Sequence, residues 1–235
     1  MAEPESSAAA SVRLEWSRRI EAEYTSAAHA HHLTLWLLQL GFPRELVDDG
    51  LAIVKDELDH AALSAEVARE AGATVPPALV SDQLALPRLR SDLRQDAVVA
   101  VTELFCLGET VAVPLFKTLR SECTVPVARD ALDRILRDEV RHRAFGWDCL
   151  DYFLDTDPSL RSVVGSALPA LFSKVLRLYG SSSRDDEVID PEARAWGLMP
   201  RALYRAVVLE VGEREYVPRF AERSIDATAA WRSAL

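Results

Sequence analysis

The sequence predicts an all-α protein built on a four-helix bundle, in which two helical hairpins are joined by a long crossover and further helices follow at the C-terminus. Two observations carry this prediction. Glycine and proline residues divide the chain into long helical stretches separated by one tight turn and one long connection. A short motif, Glu-x-x-His preceded by Asp, occurs twice, at 56–60 and 138–142, and each copy lies inside such a stretch.

The first hairpin is predicted from a helix over about residues 12–40 and a second helix that Gly72 ends. Gly41 suits the position just after a helix C-terminus, and Pro43 suits the first turn of the following helix. The two helices are therefore expected to be joined by a tight turn. Residues 73–90 contain three prolines, which indicates a long crossover rather than another hairpin turn.

The second hairpin begins where Ser91 can cap a third helix. The middle of that helix, residues 97–119, is apolar nearly all the way round, which is typical of an element buried on most sides. After Pro126 a fourth helix is predicted as far as about Asp155. The order of hairpin, crossover and hairpin completes the bundle.

More helix is predicted after the bundle. A helix is expected over residues 159–179, a polar loop over 180–191, and another helix from Pro200 that Pro218 interrupts. The acidic, Ala- and Ser-rich N-terminus has no basic start and no apolar core of a signal peptide, so it is interpreted as a disordered tail. The predicted organisation is a tail at 1–12, the bundle at 13–156 and a C-terminal helical extension packed on the bundle at 157–235.

Composition narrows the function classes. The chain has 235 residues, of which 49% are apolar, and a net charge of −10 without a block of Lys or Arg, which argues against nucleic acid and anionic membranes as partners. No uninterrupted apolar segment of membrane-spanning length is expected. The cysteines, Cys106, Cys123 and Cys149, are odd in number and include no C-x-x-C pair, which fits a reducing, cytoplasmic setting.

The duplicated motif predicts a metal centre. A Glu and a His three residues apart share one helix face, so both can point at the same ion. Each hairpin also has an acid on its other helix at the matching level: Glu23 is the acid nearest the position facing Glu57, and Glu109 faces Glu139. Two divalent ions would balance four buried carboxylates. The predicted ligands are Glu23, Glu57, His60, Glu109, Glu139 and His142.

Two neighbouring features have simpler interpretations. Glu103 lies almost two helical turns from the level of Glu139, so a salt bridge or polar contact is favoured over a ligand role. His29, His31 and His32 form a second histidine cluster, but no acid lies nearby at ligand spacing. For this cluster we favour roles at the surface or behind the ligands.

The two Asp-Glu-x-x-His motifs resemble those of the ferritin-like di-iron oxidases and oxygenases, among them ribonucleotide reductase small subunits and bacterial multicomponent monooxygenase hydroxylases. The resemblance covers about residues 13–155, and the second motif fits the Asp-Glu-x-Arg-His form of the hydroxylases. It implies a ferritin-like four-helix bundle holding two iron ions, although Mn/Fe and Mn/Mn pairs share such ligands. The first motif departs from the fuller form because Asp59 stands where Arg would stand.

The resemblance also assigns the aspartate that precedes each ligand glutamate. It implies that Asp138 hydrogen-bonds His60 and that Asp56 hydrogen-bonds His142, each across the two halves of the bundle. A carboxylate behind a ligand histidine fixes its tautomer and raises its basicity.

The function that the resemblance implies is O2 activation to hydroxylate, N-oxygenate or desaturate a small organic substrate. Electrons would come from an external donor, since no flavin or nicotinamide fingerprint is visible. Two alternatives stay open: a ferroxidase or rubrerythrin-like protein that oxidises iron or scavenges peroxide, and a metal-free helical interaction protein. A homodimer is the default expectation for the assembly.

Overall fold

The computed structural model describes residues 7–74, 84–179 and 189–235, and all regular secondary structure in these ranges is helical. The all-α prediction is confirmed for this part of the chain. The elements in chain order are α1 (Ser7–Gln39), α2 (Arg44–Glu70), α3 (Leu93–Val101), a first π-helical segment (Thr102–Glu109), α4 (Thr110–Ser121), α5 (Pro126–Thr156), α6 (Leu160–Tyr179), α7 (Pro191–Ala195), α8 (Arg201–Val211), a second π-helical segment (Gly212–Tyr216), α9 (Val217–Glu222) and α10 (Thr228–Ala234).

Four long helical stretches pack side by side into a bundle. α1 packs on α2, α2 on α5, and α5 on the first π segment and α4, while α1 also contacts α3. The tight turn after α1 is made as predicted: Gly41 has a φ of +73°, and the Phe42 N–H donates to the Leu37 carbonyl at 3.1 Å. Glycine adopts this left-handed backbone conformation at little cost, because it has no Cβ. Gly72 ends α2 in the same way, with a φ of +88°.

The first helix starts earlier than the sequence analysis predicted. α1 begins at Ser7, and both Ala8 and Val12 are buried in the core. The alanine-rich segment has high helix propensity, and burying these two side chains adds tertiary contacts that stabilise the first turns of this 33-residue helix. The predicted tail of 1–12 is therefore too long, while residues 1–6 lie outside the described part of the chain.

The third predicted helix is continuous from Leu93 to Ser121 but changes its winding. Asp92, rather than Ser91, is the N-cap, and its carboxylate accepts the N–H of Arg94 at 2.9 Å. From Thr102 to Glu109 the backbone widens into π-helical turns, which the sequence pattern did not predict. Such segments are rare and are frequently found at functional sites.

One helix has the length and composition of a possible membrane span. Within the described ranges, the stretch Leu93–Ser121 is long and apolar enough to cross a membrane by these two criteria, although Glu103 and Glu109 interrupt it. More than half of its apolar window is buried inside the bundle. This burial fits the core helix of a soluble protein, because such helices are apolar on most faces.

The C-terminal helices pack against the second hairpin. α6 contacts α3 and α10, and α8 contacts α4 and α6. The predicted interruption at Pro218 is wrong: helix continues from α8 through the second π segment into α9, and Pro218 lies one residue inside α9. Proline has no N–H to donate. The preceding π turns change the spacing of the backbone hydrogen bonds around it, so the helix need not break at this residue. Most of the predicted polar loop, residues 180–188, lies outside the described part of the chain.

Candidate metal centre

The six predicted ligands converge inside the bundle from four different helical stretches. α1 supplies Glu23, α2 supplies Glu57 and His60, the last residue of the first π segment is Glu109, and α5 supplies Glu139 and His142. All except Glu109, which is half-buried, are buried. The small buried residues expected beside Glu23, namely Ala27, Ala30 and Thr34, lie on the same face of α1.

The ligand atoms form two overlapping groups, each of which could hold a metal ion. Glu23, Glu57 and His60 make one group, Glu57, Glu139 and His142 make the other, and the ligand atoms within each group lie within 4.8 Å of one another. Glu57 belongs to both groups, so its carboxylate could serve as a ligand in either. Glu109 belongs to neither group, but its carboxyl is in hydrogen-bonding contact with that of Glu139.

The two imidazoles face the same centre with the same ring atom. Nδ1 of His60 lies 3.5 Å from Glu57 and 3.9 Å from Glu139, while Nδ1 of His142 lies 3.3 Å from Glu57 and 3.5 Å from Glu139. The ring centroids are 5.8 Å apart. Each motif therefore turns its histidine toward carboxylates of both motifs.

Several buried atoms at this centre have no hydrogen-bond partner in the described part of the chain. They are Nδ1 of His60, Nδ1 of His142, Oε2 of Glu57 and Oε2 of Glu139. Buried polar atoms are almost always paired, because an unpaired one costs about 1–3 kcal/mol. Four such atoms aimed at one point fit a pair of metal ions, since oxygen and imidazole nitrogen are the ligands that iron and manganese accept.

The outward ring atoms are held by the motif aspartates. Nε2 of His60 lies 3.2 Å from Asp138, and Nε2 of His142 lies 3.3 Å from Asp56. A carboxylate can only accept, so each Nε2 would carry a proton, and Nδ1 would be the atom that offers a lone pair to a bound metal ion. The cross-pairing implied by the resemblance is present in the structure.

Sequence reasoning missed two arginines that join these aspartates. Arg141 donates to both Asp56 and Asp138 at 2.9 Å, and Arg134 donates to Asp138 at 2.5 Å. Both arginines come from α5, whereas Asp59, at the position matching Arg141 in the first motif, pairs with Lys55. Arg141 was visible in the second motif, but the motif spacing could not reveal that one guanidinium binds the aspartates of both motifs.

The electrostatics follow from crowding four acids in a buried space. Burial first, and then Glu57 and Glu139, raise the pKa of Glu23 well above its usual value. The pKa of Glu109 is raised by burial and by Glu139. Glu57 is the exception: burial would raise its pKa, but the neighbouring imidazoles of His142 and His60 outweigh burial and lower the pKa to about 2.

The pKa values of both histidines are raised by the surrounding glutamates. Burial would lower the pKa of His142, but Glu139 and Glu57 raise it to about 10. The pKa of His60 is also raised, mainly by Glu57 against the effect of burial. The crowded carboxylates thus favour positive charge at this centre, which protons or metal ions could supply.

Close packing of α5 on the first π segment brings Glu139 to Glu109. A Cβ on Gly146 would lie 2.5 Å from Cβ of Phe105, so glycine permits this approach. Cys106 Sγ donates to the Gly146 carbonyl at 3.3 Å, and Trp147 Nε1 donates to Thr110 at 3.0 Å. From the C-terminal helices, the hydroxyl of Tyr216 donates to the carbonyl of Leu107 at 2.7 Å. The extension therefore supports the segment that carries Glu109.

A cavity of about 260 Å³ adjoins the ligands between α1, the first π segment and α6. Glu23, Glu57, Glu109 and Glu139 reach its wall, and most of the remaining lining is apolar. Tyr179 at the end of α6 also lines it, and burial, then Glu109, raises the pKa of its phenol. Nothing in the sequence pattern pointed to Tyr179, because α6 lies outside the motif-bearing helices.

The two neighbouring features behave as the simpler interpretations predicted. Glu103 forms an ion pair with Lys174 of α6 at the edge of the cavity and is not among the metal-binding groups. His32 Nδ1 accepts the N–H of Leu86 at 2.9 Å, His31 is exposed, and His29 lines the cavity. None of the three histidines joins the ligand groups found among the described residues.

Searches against protein-family models, curated proteins and solved structures gave no significant match to this chain.

Proposed function

We propose that this chain is a ferritin-like di-iron protein that activates O2 to oxidise a small organic substrate by hydroxylation, N-oxygenation or desaturation. The observation that carries the proposal is the pair of His60 and His142, whose Nδ1 atoms have no hydrogen-bond partner among the described residues and both face Glu57 and Glu139, while a carboxylate holds each Nε2. A metal-free protein gains nothing from this arrangement, because it leaves buried polar atoms unpaired.

The ligand set suits iron at a redox-active centre. Carboxylate oxygens can bridge two ions and tolerate a change of oxidation state, and one imidazole per ion leaves open coordination positions. Two Fe(II) ions bound there would supply two electrons to O2, and an external donor would restore them. Mn/Fe and Mn/Mn pairs remain alternative occupants of the same ligands.

The protein's own residues would orient the metal ligands, bind the substrate and exclude water. Asp56 and Asp138 would accept the Nε2 proton of each ligand imidazole and so turn Nδ1 toward the centre, and Arg134 and Arg141 offset the charge of those aspartates. The adjoining cavity would hold the substrate beside the ligands, with apolar walls that keep bulk water away from the reacting atoms.

The cavity favours an oxygenase or oxidase over the second candidate, an iron-oxidising or peroxide-scavenging protein. A protein that oxidises only iron or peroxide needs a path for small ions or peroxide, not an apolar space of about 260 Å³ beside the ligands. A cytoplasmic location, an external electron donor and a homodimer remain predictions.

The first test is the metal content of the chain after anaerobic loading with Fe(II) and desalting. We expect about two irons in the native protein and far fewer in a Glu57→Ala/Glu139→Ala double variant. The matched control is Glu66→Ala/Asp130→Ala, which removes one exposed acid from α2 and one from α5 and should keep both ions. Little iron in all three proteins would overturn the di-iron proposal.

Oxygen uptake then separates the two candidate activities. Iron-loaded protein with a reductant should consume O2 in proportion to an added organic substrate if it is an oxygenase or oxidase. Consumption that follows only added Fe(II) or peroxide, whatever organic compound is present, would favour the second candidate.

A further inference from the structure

A second cavity of about 410 Å³ lies next to the one beside the ligands. The two spaces share part of their lining, namely His29, Glu103, Leu104 and Lys174. The outer cavity is bordered by α3 and by the end of the crossover, including Pro87 and Leu89, and Leu89 is largely exposed. A molecule moving between the two cavities would therefore pass the ion pair of Glu103 and Lys174.

The two members of this ion pair are not equally exposed. The Lys174 side chain is 52% exposed and that of Glu103 is 28% exposed. Lys174 can turn its ammonium into water at little cost, because it has a long flexible stem and already lies half in solvent. Glu103 is the more enclosed partner, so an incoming cation could replace Lys174 while the carboxylate stays paired.

An incoming anion could not replace one member of this ion pair in the same way. If it took Lys174, Glu103 would be left without its cation beside a cavity whose wall carries Glu23 and Glu109. The other cation near the outer cavity, Arg90, is already bound to the buried Asp96 at 3.2 Å. The chain's net charge of −10 adds to this preference for cations.

The size of the inner cavity limits the rest of the molecule. A dry cavity of about 150 Å³ holds a benzene molecule, so about 260 Å³ holds a body of about ten non-hydrogen atoms. Its lining beyond the glutamates includes Ala112, Phe116, Leu171 and Val175, which suit an apolar ring or short chain.

We propose that the substrate is a small amine whose ammonium group replaces that of Lys174 at Glu103 while its apolar body fills the cavity beside the ligands. This inference rests on the proposed function, because only an enzyme has a substrate. The binding of the amine can nevertheless be tested without turnover. Glu103 and Lys174 would then determine specificity, and neither is a metal ligand.

The test is calorimetric titration of the metal-loaded chain, kept anaerobic, with three probes of similar size: 2-phenylethylamine, 2-phenylethanol and phenylacetate. We expect the amine to bind at least tenfold more tightly than the alcohol and phenylacetate to bind most weakly. Glu103→Gln should abolish the preference for the amine. Lys174→Met should tighten amine binding several-fold, because the competing ammonium is gone.

The opposite effects of the two variants make the result clear. Tightest binding of phenylacetate, lost in Lys174→Met, would overturn the proposal in favour of an anion site on Lys174. No binding of any probe to a chain that holds its metal would also overturn it. The metal content, measured on the same samples, reports separately on the di-iron proposal, because neither substitution touches a ligand.

Discussion

The carboxylate of Asp138 lies 3.2 Å from Nε2 of His60, although 78 residues separate the two in the chain. The reciprocal pair, Asp56 and His142, is 3.3 Å apart. Each motif therefore supplies one histidine of the candidate metal centre and also the carboxylate that orients the histidine of the other motif. The two halves of the centre depend on each other, so damage to one motif should reach both metal positions.

Replacing the aspartate behind one histidine should weaken metal binding. We expect Asp138→Asn to lower affinity by about 10–100-fold, because the neutral amide raises the basicity of His60 less than a carboxylate does. Metal titration with a competing chelator measures this. Asp59→Asn is the control, since Asp59 lies on α2 in an exposed pair with Lys55, and its affinity should match the native value. Equal affinity in all three proteins would contradict the role given to Asp138.

Metal binding should stabilise the fold. A ligand that binds only the folded state adds about 2.7 kcal/mol when present at a hundred times its dissociation constant. We expect Fe(II) under anaerobic conditions, or Mn(II), to raise the midpoint of thermal unfolding, and chelation to reverse the change. The Glu57→Ala/Glu139→Ala variant should show no such response, whereas Glu66→Ala/Asp130→Ala should respond as the native chain does. A metal response that survives the loss of Glu57 and Glu139 would place the binding elsewhere.

Adding one methyl group at Gly146 should disturb both the fold and the centre. Its Cβ would lie 2.5 Å from Cβ and 2.8 Å from the carbonyl carbon of Phe105, so α5 and the first π segment must move apart. Gly146→Ala is expected to cost about 1–3 kcal/mol in urea unfolding and to lower the iron stoichiometry, because Glu109 shifts away from Glu139.

Gly165→Ala provides the matched control for this overpacking. Gly165 also lies inside a long helix, but the nearest atom to its added Cβ is 3.8 Å away. The substitution should be neutral or stabilising by up to about 1 kcal/mol, since alanine favours helix over glycine. If Gly146→Ala were equally harmless, the close approach of α5 would not be what positions Glu109.

His32 should make stability fall in mild acid. Its Nδ1 accepts the N–H of Leu86, which requires a neutral nitrogen, and burial, then His29 and His31, lower its pKa. The unfolded chain therefore takes up the proton first. The contribution of this contact is complete above the unfolded-state pKa of about 6.5 and is lost as the pH falls below that value.

A variant that keeps the acceptor but cannot titrate tests this assignment. Asn at position 32 offers an amide oxygen near the place of Nδ1 and carries no charge at any of these pH values. We expect the unfolding midpoint of the native chain to fall more than that of His32→Asn between pH 7.5 and 5.5. Parallel curves for the two proteins would assign the pH dependence to other groups.

The elements that local sequence determines were predicted well. The turn at Gly41 and the end of α2 at Gly72 follow from the low cost of a positive φ at glycine. Glu57 and His60 lie on one helix face because a spacing of three residues has that result in any α-helix. These are short-range rules, so a single sequence is enough to apply them.

Only the structure revealed the features that depend on contacts between residues far apart in the sequence. The π winding before Glu109 is accompanied by close packing on Gly146 and by a hydrogen bond from Tyr216, which is 109 residues away from Leu107. Arg141 could be read in the motif, but its bridge between Asp56 and Asp138 exists only once α2 and α5 lie side by side.

The sequence by itself therefore determined the helices, the tight turn and the six residues of the candidate metal centre. Only the tertiary structure decided the winding of the ligand helix, the arginine bridge, the cavities and the pairing of Glu103 with Lys174. The physical reason is that backbone propensity and helical periodicity act between near neighbours in the chain, whereas winding defects, shared ion pairs and cavity walls arise from contacts between elements far apart in sequence.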